Sequence, residues 1–497
     1  MHTIRFHFPS VFSIALIIIS AHASFAERPN IILIFTDDQR ADAVGYSGNT
    51  AVSTPNLDRL ARQGLVFENC FVNTSICAIS RANIISGQYP GRHGIDDFFK
   101  TFAPDQLQAT MPARLQRAGY QTAFFGKWGI GDSPKSTHQG AAVFDYWAGQ
   151  PHQTSFFYES DCRFVNFNGF ERPLNDLCDC PADSRGVAGH RNRIGKANLV
   201  DPLHSDSTVI PMHAERFLDG RDQDKPFCMM LFFKGPHSPF PDWDPAVEDA
   251  TRDLRMPIPP SATLAVANRQ PEFIRDSLGG PTGMRYLKEP GFLQQHLRDY
   301  YRLVSSLDLG VGRIVKALEE RGLDKNTVIL FTSDNGHFKG EHGLAGKWLM
   351  HEPSLRVPGF IYDPRQAGGL TTRKLVITTD FTVTALALAG IEKPDEMTGL
   401  NLLPLITDPA SAPWRDAFFY DHPYTHRGKI PKIVGVRTER HSYIRYISET
   451  PAYEQLFDLD TDPLQLSNLI KTADADLVES LRQRCNTMRS DVGTLRE

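Results

Sequence analysis

A chain of 497 residues is long enough for two or three average domains, or for one large α/β core with a small appendage. Its 41% hydrophobic and 22% charged residues give an ordinary globular composition with ample core, which excludes a disordered or fibrous chain. A net charge of −5 excludes binding to nucleic acid or to a membrane surface through an overall positive field, so an anionic substrate must be met by a local cluster of cations.

Residues 1–26 carry Arg5, an apolar run from Val11 to Ile19 and the small-x-small end Ser24-Phe25-Ala26, the pattern of a secretory signal peptide. The apolar run is far short of the roughly 20 residues that a spanning helix needs. The expectation is export to the periplasm or the cell exterior without stable membrane insertion. Asn30 to Thr36 is then a continuous apolar run of strand length, as in a strand buried on both faces of a parallel sheet, and it ends in Asp37-Asp38. Val328 to Ser333 repeats the design and ends in Asp334-Asn335. Ligands collect at the carboxyl ends of such strands, so two of them side by side bring three carboxylates and an amide to one point. That all-oxygen set suits Ca²⁺ or Mg²⁺ better than zinc, although a single Asp pair after a strand is more often a cap or a turn.

Thr54 to Gly64 reads as a helix with a Thr cap, Pro at its first position and a terminating glycine. Cys77 to Ser86 reads as a short helix stopped by Gly87, which puts a thiol at a helix N-terminus with Arg81 one turn inside. This is a place where a negative charge would be held. The plainer alternative is a half-cystine or a small buried apolar residue. Seven cysteines are an odd number; with Cys77 set aside six remain, and Cys178-Asp179-Cys180, too tight for a zinc knuckle, points to a disulfide with a partner such as Cys162. After a helix from Met111 to Ala118, the strand Gln121 to Phe125 delivers Gly126-Lys127-Trp128-Gly129. Residues 132–215 lack sustained periodicity and read as long surface excursions. Phe227 to Phe233 is another buried strand, followed by the rigid loop Lys234-Gly235-Pro236-His237-Ser238-Pro239, and an amphipathic helix runs from about Gln294 to Glu320. Thr379 to Gly390 is a capped helix. From about Ala412 the pattern changes to short strands at 432–439, 441–447 and 453–459 and a helix from Ala475 to Met488. The expected division is signal peptide 1–26, catalytic domain 27–411 and a small α+β subdomain 412–497.

Cys77-Ala78-Ile79-Ser80-Arg81, then Ser86-Gly87-Gln88-Tyr89-Pro90, with Arg92-His93-Gly94 behind, resembles the signature of the formylglycine-dependent sulfatases of the alkaline-phosphatase-like superfamily. That signature is Cys, any residue, Pro or Ala, any residue, Arg, followed by Thr/Ser-Gly-x-Tyr-Pro; Ile79 departs from it. The two acidic pairs, Lys127, the Pro236-His237 element and the stretch Lys339 to Lys347 follow in the family's order. The resemblance implies an α/β fold with a large, mostly parallel mixed sheet sandwiched by helices. It implies that a formylglycine-generating or sulfatase-maturing enzyme oxidises Cys77 to formylglycine. It further implies that Asp37, Asp38, Asp334 and Asn335 hold Ca²⁺ together with the residue-77 hydrate, that Arg81 steadies this hydrate, that Lys127 and Lys347 grip the sulfate and that His237 protonates the leaving oxygen. A histidine usually follows the first lysine two residues later, where this chain has Gly129. Tyr424-Thr425-His426-Arg427 supplies candidate substrate contacts in His426 and Arg427. The function so implied is hydrolysis of sulfate monoesters of a carbohydrate. Two alternatives are a phosphoesterase of the same superfamily and a catalytically silent relative that only binds sulfated glycans.

Overall fold

The computed structural model describes residues 28–131, 139–150, 153–159 and 202–493. The expected signal peptide, and Cys162, Cys178 and Cys180 with their disulfide, lie outside the described residues. The elements that position the site are β1 (Asn30–Thr36), α1 (Pro55–Arg62), β2 (Leu65–Phe67), α2 (Cys77–Ser86), β3 (Gln121–Lys127), β4 (Tyr146–Gln150), α3 (Ile210–Gly220), β5 (Phe227–Phe232), α4 (Pro290–Glu320), β6 (Thr327–Ser333), β7 (Phe360–Tyr362), β8 (Leu370–Thr372) and α5 (Thr378–Leu388).

The eight strands form one sheet in the order β8-β2-β7-β6-β1-β5-β3-β4. Every neighbouring pair is parallel except those made by β7, which runs antiparallel to β2 and to β6. This is the mixed, mostly parallel sheet that the sequence implied. β1 lies at its centre with no exposed residue, and its side chains alternate between two cores. Ile31, Leu33 and Phe35 pack with Ala82, Ile84 and Ile85 of α2 and Phe381 and Leu386 of α5. Ile32 and Ile34 pack on the other side with Leu57 and Leu60 of α1, Phe217 of α3 and Leu307, Val311 and Ile314 of α4. The unbroken apolar run of β1 thus reflects burial on both faces. No helix of the described residues is long and apolar enough to cross a membrane.

β4 is a correction to the sequence reading. Part of the stretch taken as surface excursion is an edge strand of the main sheet, paired from Tyr146 to Gln150 with β3, and α3 packs behind it. Its run, Tyr-Trp-Ala-Gly-Gln, opens with two aromatic strand formers but is too short, and ends too soon in Gly-Gln, to show a strand period. α4 also begins earlier than expected, at Pro290, because proline is accepted at a first helical position. Thr54 precedes α1, but its hydroxyl turns to Asp58, and the cap comes instead from Asp308, whose carboxylate accepts from Asn56 N at 3.2 Å and Leu57 N at 2.8 Å.

The chain closes with an antiparallel meander of β9 (Ala417–His422), β10 (Ile433–Thr438), β11 (His441–Tyr446) and β12 (Tyr453–Asp458), followed by α6 (Ala475–Asp491). Phe419, Val434, Val436, Tyr443 and Leu456 pack against Val478, Leu481 and Cys485 of α6. The end of β9 is stitched to the loop just before α2. Asp421 donates its backbone N–H to Asn73 O at 3.0 Å, and Thr74 Oγ1 donates to Asp421 O at 2.6 Å. Cys70, Cys228 and Cys485 are buried and free, so a pairing of all six remaining cysteines is not formed.

Candidate active site

Cys77 is the first residue of α2, and all ten residues of that helix are buried. Ile76 stands at the N-cap and offers no side-chain oxygen, so the first backbone N–H groups are left to meet an anion. Arg81, one turn on, is fully buried. It donates through Nε and Nη2 to Asp334 Oδ2 at 3.1 and 3.0 Å, through Nη1 to Lys127 O at 2.6 Å, and lies 3.4 Å from Asp37 Oδ2. The guanidinium also lies over the rings of Phe35 and Phe232, so its position is fixed from every side.

β1 and β6 run parallel and adjacent, in register from Asn30 with Thr327 to Thr36 with Ser333, so their acidic ends meet as the sequence predicted. Asp38 turns back at φ 66°, a left-handed conformation that aspartate tolerates, and its N–H donates to Asp334 Oδ1 at 3.0 Å. Asn335 Nδ2 donates to Asp38 Oδ1 at 2.6 Å. Lys127, at the end of β3, is paired with Asp37, and Lys347 with Asp38. The loop of Lys347 is tied down by the next residue, Trp348, whose N–H donates to Ser75 O at 3.2 Å. Three carboxylates therefore face three cations in a buried site.

The charges sort the carboxylates. Burial works to raise Asp37 and Asp38, but the cations Lys127 and Arg81 on the first and Lys347 on the second hold both well below the usual carboxylate range. Burial and the neighbouring charge of Asp37 push Asp334 up to about 7 against the pull of Arg81. Burial likewise pushes His237 down to about 4, although Asp37 and Asp38 draw it up. His237 Nδ1 lies 2.9 Å from Ser238 O, which holds the ring proton on Nδ1 and leaves Nε2 facing the site, 3.7 Å from Asp38 Oδ2.

Asp37, Asp38 and His237 bring one ligand atom each to within 4.8 Å of one another. Asp37 Oδ1 and Asn335 Oδ1 are buried without a hydrogen-bond partner. Two orphaned oxygens beside two ionised carboxylates fit a hard cation. The oxygens of Asp334, in contrast, are engaged by Arg81 and by the Asp38 N–H.

Two residues of the site were not singled out from the sequence. Gln153 donates through Nε2 to Cys77 Sγ at 3.8 Å, and its Oε1 accepts from Lys127 Nζ at 2.8 Å. Lys234, two residues after β5, is buried with its ammonium on the carbonyls of Gln153, at 3.3 Å, and Thr154. Burial and the nearby charge of Lys127 lower it to about 7. The signal for Lys234 was there, a lysine at the end of a buried strand as in Lys127. Gln153 had none. Gly129 has φ 68°, and a Cβ on it would lie 2.9 Å from Arg81 Cδ, so this backbone has no room for a side chain. His426 and Arg427 stand apart from the buried cluster on the exposed loop after β9.

A profile described as Sulfatase matches residues 29–391, and one described as N-sulphoglucosamine sulphohydrolase, C-terminal, matches residues 340–491. The chain is 28% identical to an N-acetylglucosamine-6-O-sulfatase of Bacteroides thetaiotaomicron over 90% of this chain and 84% of that one. It is 25% identical to human N-acetylglucosamine-6-sulfatase over 95% and 86% of the two chains. A solved structure described as a complex with its substrate D-glucosamine-2-N,6-O-disulfate superposes with a TM-score of 0.73 at 26% identity, covering 94% of this chain and 98% of the other. The phosphonate monoester hydrolase of Agrobacterium radiobacter shares the fold, with a TM-score of 0.70 at 20% identity over 93% and 96%.

Proposed function

Since the chain belongs to the sulfatase family, it is a sulfuric ester hydrolase, and we propose that it is an exported enzyme that removes sulfate from a carbohydrate, with a 6-O-sulfated glucosamine as the first candidate. The observation that carries this reading is the convergence of Cys77, Arg81, Lys127 and Lys347 on the carboxylates of β1 and β6 within one buried site. The relatives named for glucosamine 6-sulfate support the sugar.

Asp37, Asp38, Asp334 and Asn335 are the residues that would hold calcium, with the group at position 77 beside them. When present, calcium supplies positive charge against a sulfate oxygen, and formylglycine made from Cys77 supplies a hydrated aldehyde as the oxygen nucleophile. The chain's own residues do the rest. Arg81 and the N-terminus of α2 hold negative charge at position 77, and Lys127 and Lys347 place fixed ammonium groups where the sulfuryl oxygens gain charge. Because these groups are buried, their interactions are worth more than at a surface. His237 presents Nε2 to the leaving oxygen; an arriving anion favours its protonated form, and the proton passes to the departing alkoxide. His426 and Arg427 on the outer loop are proposed to touch the sugar. The four-stranded sheet and α6 are proposed as a separate subdomain whose β9 end frames the mouth of the site.

The test is sulfate release from 6-sulfated glucosamine set beside phosphate release from a matched monoester, with mass spectrometry of the peptide containing residue 77. Sulfate turnover with formylglycine at position 77 is expected. Faster phosphate turnover would favour the phosphoesterase, and binding without turnover in a fully modified preparation would favour the silent relative.

A further inference from the structure

We propose that the mouth of the site carries a second sugar-binding surface, built by Phe98, Phe99 and Tyr424 with His426 and Arg427, which takes an anionic sugar joined to the one that loses its sulfate. This rests on the carbohydrate-sulfate reading and adds to it the neighbouring sugar and its charge. Two loops form the surface. One, with Phe98 and Phe99, follows the turn Pro90–His93 that continues from α2. The other follows β9, whose end is held to the site by Tyr420. That hydroxyl donates to Trp348 O at 2.8 Å, next to Lys347, and accepts from Ser75 N at 3.3 Å, two residues before Cys77. Tyr424, four residues beyond Tyr420, is near enough to residue 77 that burial and the charges of Asp97 and Cys77 raise its hydroxyl above the ordinary tyrosine range.

The loops meet where the Phe98 ring sets edge to face on Tyr424, 5.2 Å between centroids at 88°. Each is stiff. Asp97 Oδ1 accepts from the backbone N–H groups of Phe99 and Lys100 at 2.8 and 2.7 Å. Lys429 N donates to His426 O at 2.8 Å, and Leu278 N donates to Lys429 O at 2.8 Å. Beside the docked pair, Phe99 is 73% exposed, more than any other large apolar side chain among the described residues. A single exposed apolar side chain needs no explanation, but Phe99 adjoins the ring that docks on Tyr424 and its backbone N–H is held by Asp97. The C–H face of a pyranose covers such a ring and keeps its hydroxyls in water. Tyr424 Oη and His426 Nδ1 lie 3.2 Å apart as hydrogen-bonding groups, and Arg427 is exposed with no acidic partner among the described residues. A guanidinium in that position pairs bidentately with a carboxylate or a second sulfate.

The experiment compares the matured full chain with its Phe99→Ala, Phe99→Trp and Arg427→Ala variants. The substrates are an aryl sulfate, a 6-sulfated glucosamine disaccharide with a uronate neighbour and one with an uncharged neighbour. Phe99→Ala should raise KM for both disaccharides about tenfold more than for the aryl sulfate, the factor that ~1.4 kcal/mol supplies. Phe99→Trp should hold or lower it. Arg427→Ala should raise KM for the uronate disaccharide alone. Equal shifts on aryl sulfate and disaccharides, or no shift on either, would overturn the proposal. A wild-type enzyme that turned over the aryl sulfate and neither disaccharide would instead remove the carbohydrate reading itself, and the second surface with it.

Discussion

Asp37, Arg81, Asp334 and Asn335 are sealed from solvent, whereas Phe99, His426 and Arg427, at the mouth above them, are exposed. Inside, Asp37, Asp38 and Asp334 are met by Lys127, Lys347 and Arg81, because a lone ion taken from water costs several kcal/mol. At the mouth the charges stand in water, and Arg427 has no acidic partner among the described residues. The difference separates two tasks. The interior must look the same to every sulfate ester, since it touches only the sulfuryl group. The rim meets what distinguishes one ester from another.

The largest expected effect belongs to the interior. Cys77→Ala should lower kcat/KM for sugar and aryl sulfates alike by on the order of 10⁴-fold or more, since it removes the attacking group. Loss on one substrate only, read in parallel assays, would place residue 77 with the rim. Chelation should likewise abolish turnover of both, and calcium should restore it. Restoration by zinc alone would overturn the ligand assignment to Asp37, Asp38, Asp334 and Asn335, whose oxygen donors are suited to the harder ion.

Stability sharpens the same contrast. Arg81→Ala leaves Asp37 and Asp334 close together without the guanidinium that joins them, and breaking a buried pair in this way costs about 3–5 kcal/mol. Arg427→Ala should stay within about 0.5 kcal/mol, as surface changes usually do. Urea unfolding of the two variants tests this. Similar midpoints would mean that water reaches the interior charges.

The interior was legible in the sequence and the rim much less so. Burial of β1 and β6 on both faces forces continuous apolar runs, and these runs carried the two acidic pairs to the same end of the sheet. α2 announced itself by its glycine stop, and Gly87 indeed closes it at φ 71°. β4 was read as surface because a short edge strand leaves no periodic trace. The meeting of Phe98 and Tyr424 joins residues more than three hundred positions apart, and neither position is marked by a pattern. Gly129 was legible as a departure from a family pattern. Its cause, the crowding of Arg81 against that backbone, needed the fold.

His237 faces both regions. A sugar alkoxide leaves badly without a proton, and a phenolate with an electron-withdrawing group leaves readily. His237→Ala should therefore cut kcat/KM on a sulfated sugar by about 10²- to 10⁴-fold and cost an activated aryl sulfate far less. Equal losses on the two would make Nε2 a ligand of the cation or of the sulfate, as its 3.7 Å approach to Asp38 also permits.

The smallest effect expected comes from Gln153, which belongs to the loops by its place in the chain and to the interior by its contacts. An ammonium can only donate, so Lys127 fixes the amide with Oε1 toward itself and Nε2 toward residue 77. Gln153 thus links Lys127 to residue 77, but an amide takes no proton and can only hold the group there. A hydrogen bond to a charged partner contributes about 1.5–3 kcal/mol, so Gln153→Ala should lower kcat roughly ten- to a hundredfold for sugar and aryl sulfates alike. The loss should be the same on both because the contact is to residue 77 and Lys127 and not to the leaving group. Steady-state kinetics on the two substrates decides it. A loss confined to sulfated sugars would move Gln153 to the rim, and a rise in KM with kcat unchanged would mean that it serves only to aim Lys127 at the sulfate.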